Sequence, residues 1–177
     1  MELKEAYLRQ MRSFFSDVIW THKIQCSQMD IYETKLGRYN NIKGVLQSLS
    51  ASGVLIAAIS DIKILSIFSA LVLFGTYLLD NILKVTQYKD KIGKIKVDTT
   101  NLVILRNRLK FDILTFDNYN NEILKEKIDS YENQTRSIYL SLYNPSSKAV
   151  KIAEEKLKMR KDDSKNKEFI DSCLLEE

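Results

Sequence analysis

The chain of 177 residues contains a single proline, Pro145, and five glycines, so little in it interrupts a helix. No stretch of any length alternates apolar and polar residues in the Val/Thr/Tyr-rich manner of strands, which excludes a sheet and points to an all-α fold. Cysteine is equally scarce. Cys26 and Cys173 lie far apart, without CxxC or metal-ligand spacing, and read as reduced or buried thiols. His22 is the only histidine; with no carboxylate, cysteine or serine arranged near it, it reads as structural. No Walker loop, GxGxxG, GxSxG, HExxH or paired-cysteine site occurs. Acidic residues are numerous but scattered on helix faces opposite apolar stripes, as on solvated surfaces. No catalytic residue, metal site or cofactor is expected, and the chain does not read as an enzyme.

Charge is missing from one place above all. Gly44–Ser60 and Ile64–Leu79 are apolar segments without a charged residue, separated only by Ser60-Asp61-Ile62-Lys63. One helix through both would be about 54 Å long at roughly 1.5 Å per residue, against a hydrocarbon core of about 30 Å. It would also leave Asp61 and Lys63 near the bilayer centre, at about 2.5–3.5 kcal/mol each. Two spans of about 25 Å put both charges at the far interface and are favoured, with thinning of the bilayer or snorkelling by Lys43 and Lys63 making up the length. A transmembrane helical hairpin over 44–79 is the expectation. The alternative is a soluble bundle that buries this hairpin in its core. The net charge of +4 is modest, but its placement is informative. Lys35, Arg38 and Lys43 precede the hairpin and Lys84, Lys89, Lys91, Lys94 and Lys96 follow it, whereas the turn has only Lys63. Both termini should therefore be cytoplasmic, and the apolar stretch, preceded by some forty charged and polar residues, is no cleavable signal peptide.

The spans are not uniformly greasy. Gln47, Ser48, Ser50 and Ala51 lie on one side of the first, and Ser66, Ser69, Thr76 and Asp80 on one side of the second. Small and hydroxylated residues let helices approach closely and hydrogen-bond in lipid. They also suit the wall of a water-filled pore, which would need several copies of a two-span chain. The sequence leaves both roles open. Trp20, Tyr39, Lys43, Lys63 and Lys84 are the candidates for the membrane interface.

The rest divides by pattern into residues 1–43, the hairpin 44–79, a helical region 80–160 and a charged tail 161–177. Residues 2–19 form an amphipathic helix with Leu3, Tyr7, Leu8, Met11, Phe14, Phe15, Val18 and Ile19 on one arc. That helix either lies in the headgroup plane or packs on a cytoplasmic bundle. Trp20-Thr21-His22-Lys23 leads from it into a helix entering the first span. Lys96-Val97-Asp98-Thr99-Thr100 offers a cap or break. Leu102, Leu105, Leu109, Ile113 and Phe116 make a stripe, and after a turn at 117–121 come Leu124, Ile128, Tyr131, Thr135, Ile138 and Leu142, a 4-3-4-3-4 seam. A local helical hairpin burying both stripes is favoured over an intersubunit coiled coil, because the turn is short. Asn144-Pro145-Ser146-Ser147 ends it, a short helix covers 149–160, and the tail reads as frayed.

This layout resembles the SLATT family, two-transmembrane effector domains that accompany bacterial conflict systems. The residues that carry the resemblance are Trp20-Thr21-His22-Lys23, the polar helix with Leu36 and Tyr39, the first span with Leu49-Ser50-Ala51-Ser52, the short turn, the second span and the basic helical region after it. The resemblance covers roughly residues 15–160 and rests on layout more than on any one residue. It implies an inner-membrane, multi-pass effector of anti-phage defence that forms pores or disrupts the membrane, an abortive-infection outcome, when a partner senses infection. It also implies homo-oligomers in the lipid bilayer and a nucleotide-signal synthase, nucleotide sensor or reverse transcriptase nearby; no direct nucleic-acid binding is expected. Two other readings stand beside it: a non-conducting membrane scaffold recruiting a cytoplasmic partner through 101–143, and a holin-like lysis protein.

Overall fold

The computed structural model describes residues 2–60, 63–82, 85–159 and 167–175, and among these no strand occurs. The chain is all-α. Six helices follow in order: α1 (Glu2–Ser60), α2 (Lys63–Ile82), α3 (Val85–Leu114), α4 (Asn121–Ser141), α5 (Ser147–Met159) and α6 (Lys167–Leu175), with a 3₁₀ turn at Phe116–Asn118 before α4. They form two compact units, one of Met1–Asp30 with Gly93–Glu177 and one of Ile31–Ile92. Both α1 and α3 contribute residues to each unit.

Two segments where an element could have ended continue as helix, and the break offered at 96–100 is absent. α1 runs unbroken through Trp20-Thr21-His22-Lys23, where no glycine or proline stops it. α3 runs through 96–100 because Thr99 and Thr100 turn their hydroxyls back onto the Lys96 carbonyl, each at 2.9 Å, instead of capping a new helix. Thr99 and Asp98 are buried there.

The first unit has a continuous apolar core. Met11, Phe15 and Val18 of α1 meet Leu102, Leu105, Leu109 and Ile113 of α3, Phe116, and Leu124, Ile128 and Tyr131 of α4. The amphipathic arc of residues 2–19 is thus a packing face, with Tyr7, Leu8, Phe14, Ile19 and Trp20 partly buried against the same core. The two stripes of α3 and α4 close on each other as a local hairpin. Asn120 caps α4, its side-chain oxygen accepting from the Ile123 amide at 2.9 Å. The tail differs from its expected fraying: α6 adds Ile170 and Leu174 to the core, and Arg12 pairs with Asp171. Two short apolar residues, Ile170 and Leu174, four apart on one helix face, suffice to dock a helix against an existing core.

A polar clamp holds the Pro145 loop. Gln25 donates to the Tyr143 carbonyl at 2.7 Å, and the Tyr143 amide donates to Asp98 at 3.1 Å. Gln28 accepts from both the amide and the hydroxyl of Ser146, each at 2.7 Å. Ser146 then caps α5 by accepting from the Ala149 amide. Burying Gln25 and Gln28 is tolerated because the irregular backbone beside them needs partners.

Candidate functional site

The second unit is built on the antiparallel pair of α1 (from Ile31) and α2. Burial defines its internal seam. Along α1 the covered positions are Tyr39, Lys43, Leu46, Ser50 and Gly53, and along α2 they are Leu65, Ser69, Val72, Thr76 and Asp80. The α1 positions step 4-3-4-3, the spacing of a packed helix pair. At the centre Ser50 and Ser69 are each 1% exposed, and the Ser50 hydroxyl donates to the Ser69 carbonyl at 2.7 Å across the pair. A Cβ on Gly53 would overlap the Ser69 hydroxyl in its present rotamer, so a small residue is favoured at this approach. Thr76 is buried and bonds back to the Leu73 carbonyl at 2.7 Å. At the open end Asp80 accepts from the Tyr39 hydroxyl and from the Lys43 ammonium, the latter at 2.6 Å.

The outside of the pair is its inverse. From Ile42 to Leu78, large apolar side chains such as Val45, Leu49, Leu55, Ile59, Phe68 and Phe74 are between 41% and 86% exposed. Ser50, Ser69 and Thr76 sit inside together with Leu46, Leu65 and Val72, whereas Ser48, Ser52 and Ser66 face outward. Within this unit most of the large apolar side chains of the hairpin also face outward rather than into a core. The polar residues left outside are few. Ser48 and Ser52 satisfy their hydroxyls on the Gly44 and Ser48 carbonyls of their own helix, each at 2.9 Å. Gln47 is exposed and has no hydrogen-bond partner among the described residues.

The eight residues expected to pack or to line a pore therefore separate. Ser50, Ser69, Thr76 and Asp80 are inside the pair, whereas Gln47, Ser48, Ala51 and Ser66 are outside. With the seam through Ser50 and Ser69, helical geometry turns Gln47 and Ala51 of α1 and Ser66 of α2 towards the same flank of the hairpin. Of the interface candidates, Tyr39 and Lys43 close the open end, and Trp20 packs on the core of the first unit. Asp61, Lys84 and the side chain of Lys63 lie outside the described residues. Gly53, Leu46, Leu65 and Val72 belong to the seam but were not singled out from sequence; the 4-3-4-3 step from Tyr39 was the signal for the α1 positions.

Just below this end, Tyr32 and Tyr88 stack with ring centroids 5.4 Å apart. Lys35 lies over Tyr88, and Lys91 lies over both rings, at 5.8–6.0 Å from their centroids.

Two clusters in the first unit carry titratable groups. His22 and Cys26 are one turn apart on α1 and do meet, Sγ lying 3.5 Å from Nε2, which corrects the reading of an isolated histidine. Burial, then Arg106 and Lys23, lowers the His22 pKa; burial, then Asp30, raises that of Cys26. The pair is a neutral imidazole beside a neutral thiol, the reverse of the thiolate–imidazolium pair that a nucleophile needs. Among the described residues no three ligand side chains gather for a metal. The second cluster surrounds Asp112, whose carboxylate accepts from Tyr131 at 2.6 Å, Lys127 at 2.9 Å and Tyr119 at 3.0 Å. Burial works to raise its pKa, but these three donors together hold it below the usual value; burial first, and then the bond to Asp112, raise Tyr131 well above the usual phenol.

The chain is all-helical and carries a two-helix hairpin whose large apolar side chains mostly face outward. The family model of the SMODS and SLOG-associating 2TM effector domain family 4 matches residues 7–168, and the chain belongs to that family. No curated protein and no solved structure matches it significantly. The family description places the chain among effectors of bacterial conflict systems. Among the described residues no helix is long and apolar enough to cross a membrane.

Proposed function

We propose that this chain is an inner-membrane effector of a bacterial anti-phage defence system, whose hairpin enters the bilayer with both termini cytoplasmic and whose copies assemble to permeabilise it. The observation that carries this reading is the outward-facing apolar surface of the hairpin. In water, large apolar side chains exposed from Ile42 to Leu78 form the kind of contiguous patch that marks a membrane or partner surface. In lipid the same surface costs nothing, and buried serines contribute to holding the helices together. Arms of about 25 Å draw the two leaflets together, a mismatch that favours both bilayer thinning and association of hairpins.

Association has a candidate flank. Ser50, Ser69 and Thr76 are consumed inside each hairpin, so any aqueous path between copies uses the outer polar set, Gln47 with Ala51 and Ser66. The unpartnered amide of Gln47 gains hydrogen bonds only from a neighbouring copy or from water in a pore. The trigger arrives through the cytoplasmic helices, from a nucleotide-signal synthase, a sensor or a reverse transcriptase encoded nearby.

Induced expression with a potential-sensitive dye tests the reading. Wild-type or triggered protein should depolarise the cells; failure of every form to do so sinks it. Gln47→Leu should change the ion flux while leaving the hairpin folded, since the side chain is outside the seam. Unchanged flux would assign that flank to packing alone.

A further inference from the structure

The exposed side of α3 within the first unit has a composition that the hairpin does not account for. Val97, Ile104 and Phe111 recur every seven residues and are 60%, 47% and 62% exposed, with Leu114 continuing the line at 57%. A seven-residue repeat of apolar residues on an open helix face is half of a helix–helix seam. Beside it, between α3 and α4, lies a groove of about 540 Å³ whose walls include Ile104, Asn107, Arg108, Phe111, Lys127 and Tyr131. From Gly93 to Leu114 the only acidic residues are Asp98 and Asp112; both are buried, and Asp112, which also lines the groove, is paired with Lys127 at 2.9 Å. The exposed cations flank this line, Lys94 and Arg108 on one side of it and Lys96 on the other. Arg108 reaches Gln134 across the groove at 3.4 Å, which leaves most of its guanidinium donors available.

We propose that this face of α3 is the docking site for an acidic amphipathic helix of a cytoplasmic partner protein, its apolar side chains seated along Val97–Ile104–Phe111 and its carboxylates on Arg108, Lys94 and Lys96. Charge complementarity selects the occupant. A second copy offering the same face would bring Lys96 and Arg108 against their like. A second copy offering the acidic back of α4, with Glu122, Glu126 and Asp129, brings only Leu140 as an apolar anchor. A bilayer surface is flat, whereas Ile104 and Phe111 edge a concavity of side-chain size. Helix-in-groove recognition needs apolar anchors at helical spacing together with opposite charge, and only a separate acidic helix supplies both. This inference does not depend on the pore reading of the hairpin.

The test uses the full chain in lipid nanodiscs and a labelled synthetic helix about three heptads long, with leucine at the a and d positions and glutamate around them. Its counterpart carries lysine in place of glutamate. Anisotropy should rise and saturate with the acidic peptide and not with the basic one. Ile104→Asp and Phe111→Asp should each weaken binding by about tenfold or more, as loss of a central anchor does. Arg108→Glu should weaken the acidic peptide and admit the basic one. All three changes are at exposed positions, so circular dichroism should show the wild-type helix content. Equal binding of both peptides, or of neither, overturns the proposal. So does efficient disulfide cross-linking of Ile104→Cys between copies, which would assign the face to a second copy. A blue shift of Phe111→Trp fluorescence on adding anionic lipid to the discs would assign it to the membrane and overturn it equally. None of these readouts measures ion flux, so a silent membrane and an empty groove are separable results.

Discussion

At the scale of single residues, Asp112 decides more than any other polar group in the first unit. Its carboxylate gathers two phenols and an ammonium that would otherwise be stranded at the edge of the core. Because the folded-state pKa is depressed, its contribution is complete above the range in which an unfolded aspartate titrates, about pH 4, and is lost as pH falls through the folded value. Asp112→Asn should therefore cost about 1.5–3 kcal/mol at neutral pH, the range for hydrogen bonds to a charged group. Chemical denaturation at pH 7 and again well below pH 4 measures it. The difference between variant and wild type should shrink on acidification, and a constant difference would mean that the charge plays no part. His22 works with the opposite inconvenience: burial favours its neutral ring, so acidification through the ordinary histidine range should weaken the first unit at that point.

At the scale of elements, the pairing of α1 with α2 rests on one close approach. Gly53 admits the Ser69 hydroxyl, and Ser50 then reaches the Ser69 carbonyl. Gly53→Leu should force the helices apart, at about 1–3 kcal/mol as for other overpacked seams. Gly53→Ala should be far milder, since the Ser69 hydroxyl is a single rotating atom and its own Cβ lies 3.6 Å from the new methyl. Thermal unfolding of the detergent-solubilised variants would rank them, and equal melting of leucine and alanine variants would contradict the seam. The hairpin of α3 with α4 was legible beforehand, because its two stripes are long, periodic and separated by a short turn. The docking of α6 was not, because Ile170 and Leu174 are too few to show a period in a charged tail.

At the scale of the molecule, the two units distribute their apolar side chains differently. The first has an ordinary aqueous economy, with Met11, Phe15 and Leu124 inside and charges outside. The second turns its aliphatics outward. Carbonate extraction of membranes after expression should leave the chain in the pellet, and truncation to a fragment without 44–79 should abolish that retention. Release of the intact chain by carbonate would contradict a hairpin embedded in lipid.

The sequence by itself determined the helical content, the uncharged hairpin and the core stripes, because one proline, few glycines and strong periodicity leave a chain no other local option. It also carried the family. Which small residues face inward was decided only by tertiary structure. Gln47, Ser50 and Ala51 sit within about a third of a turn of one another, since each step on a helix is about 100°, and composition does not separate them. The contact of Gly53 with Ser69 fixes the rotation of the pair, and with it Ser50 goes inside while Gln47 is left for a neighbour.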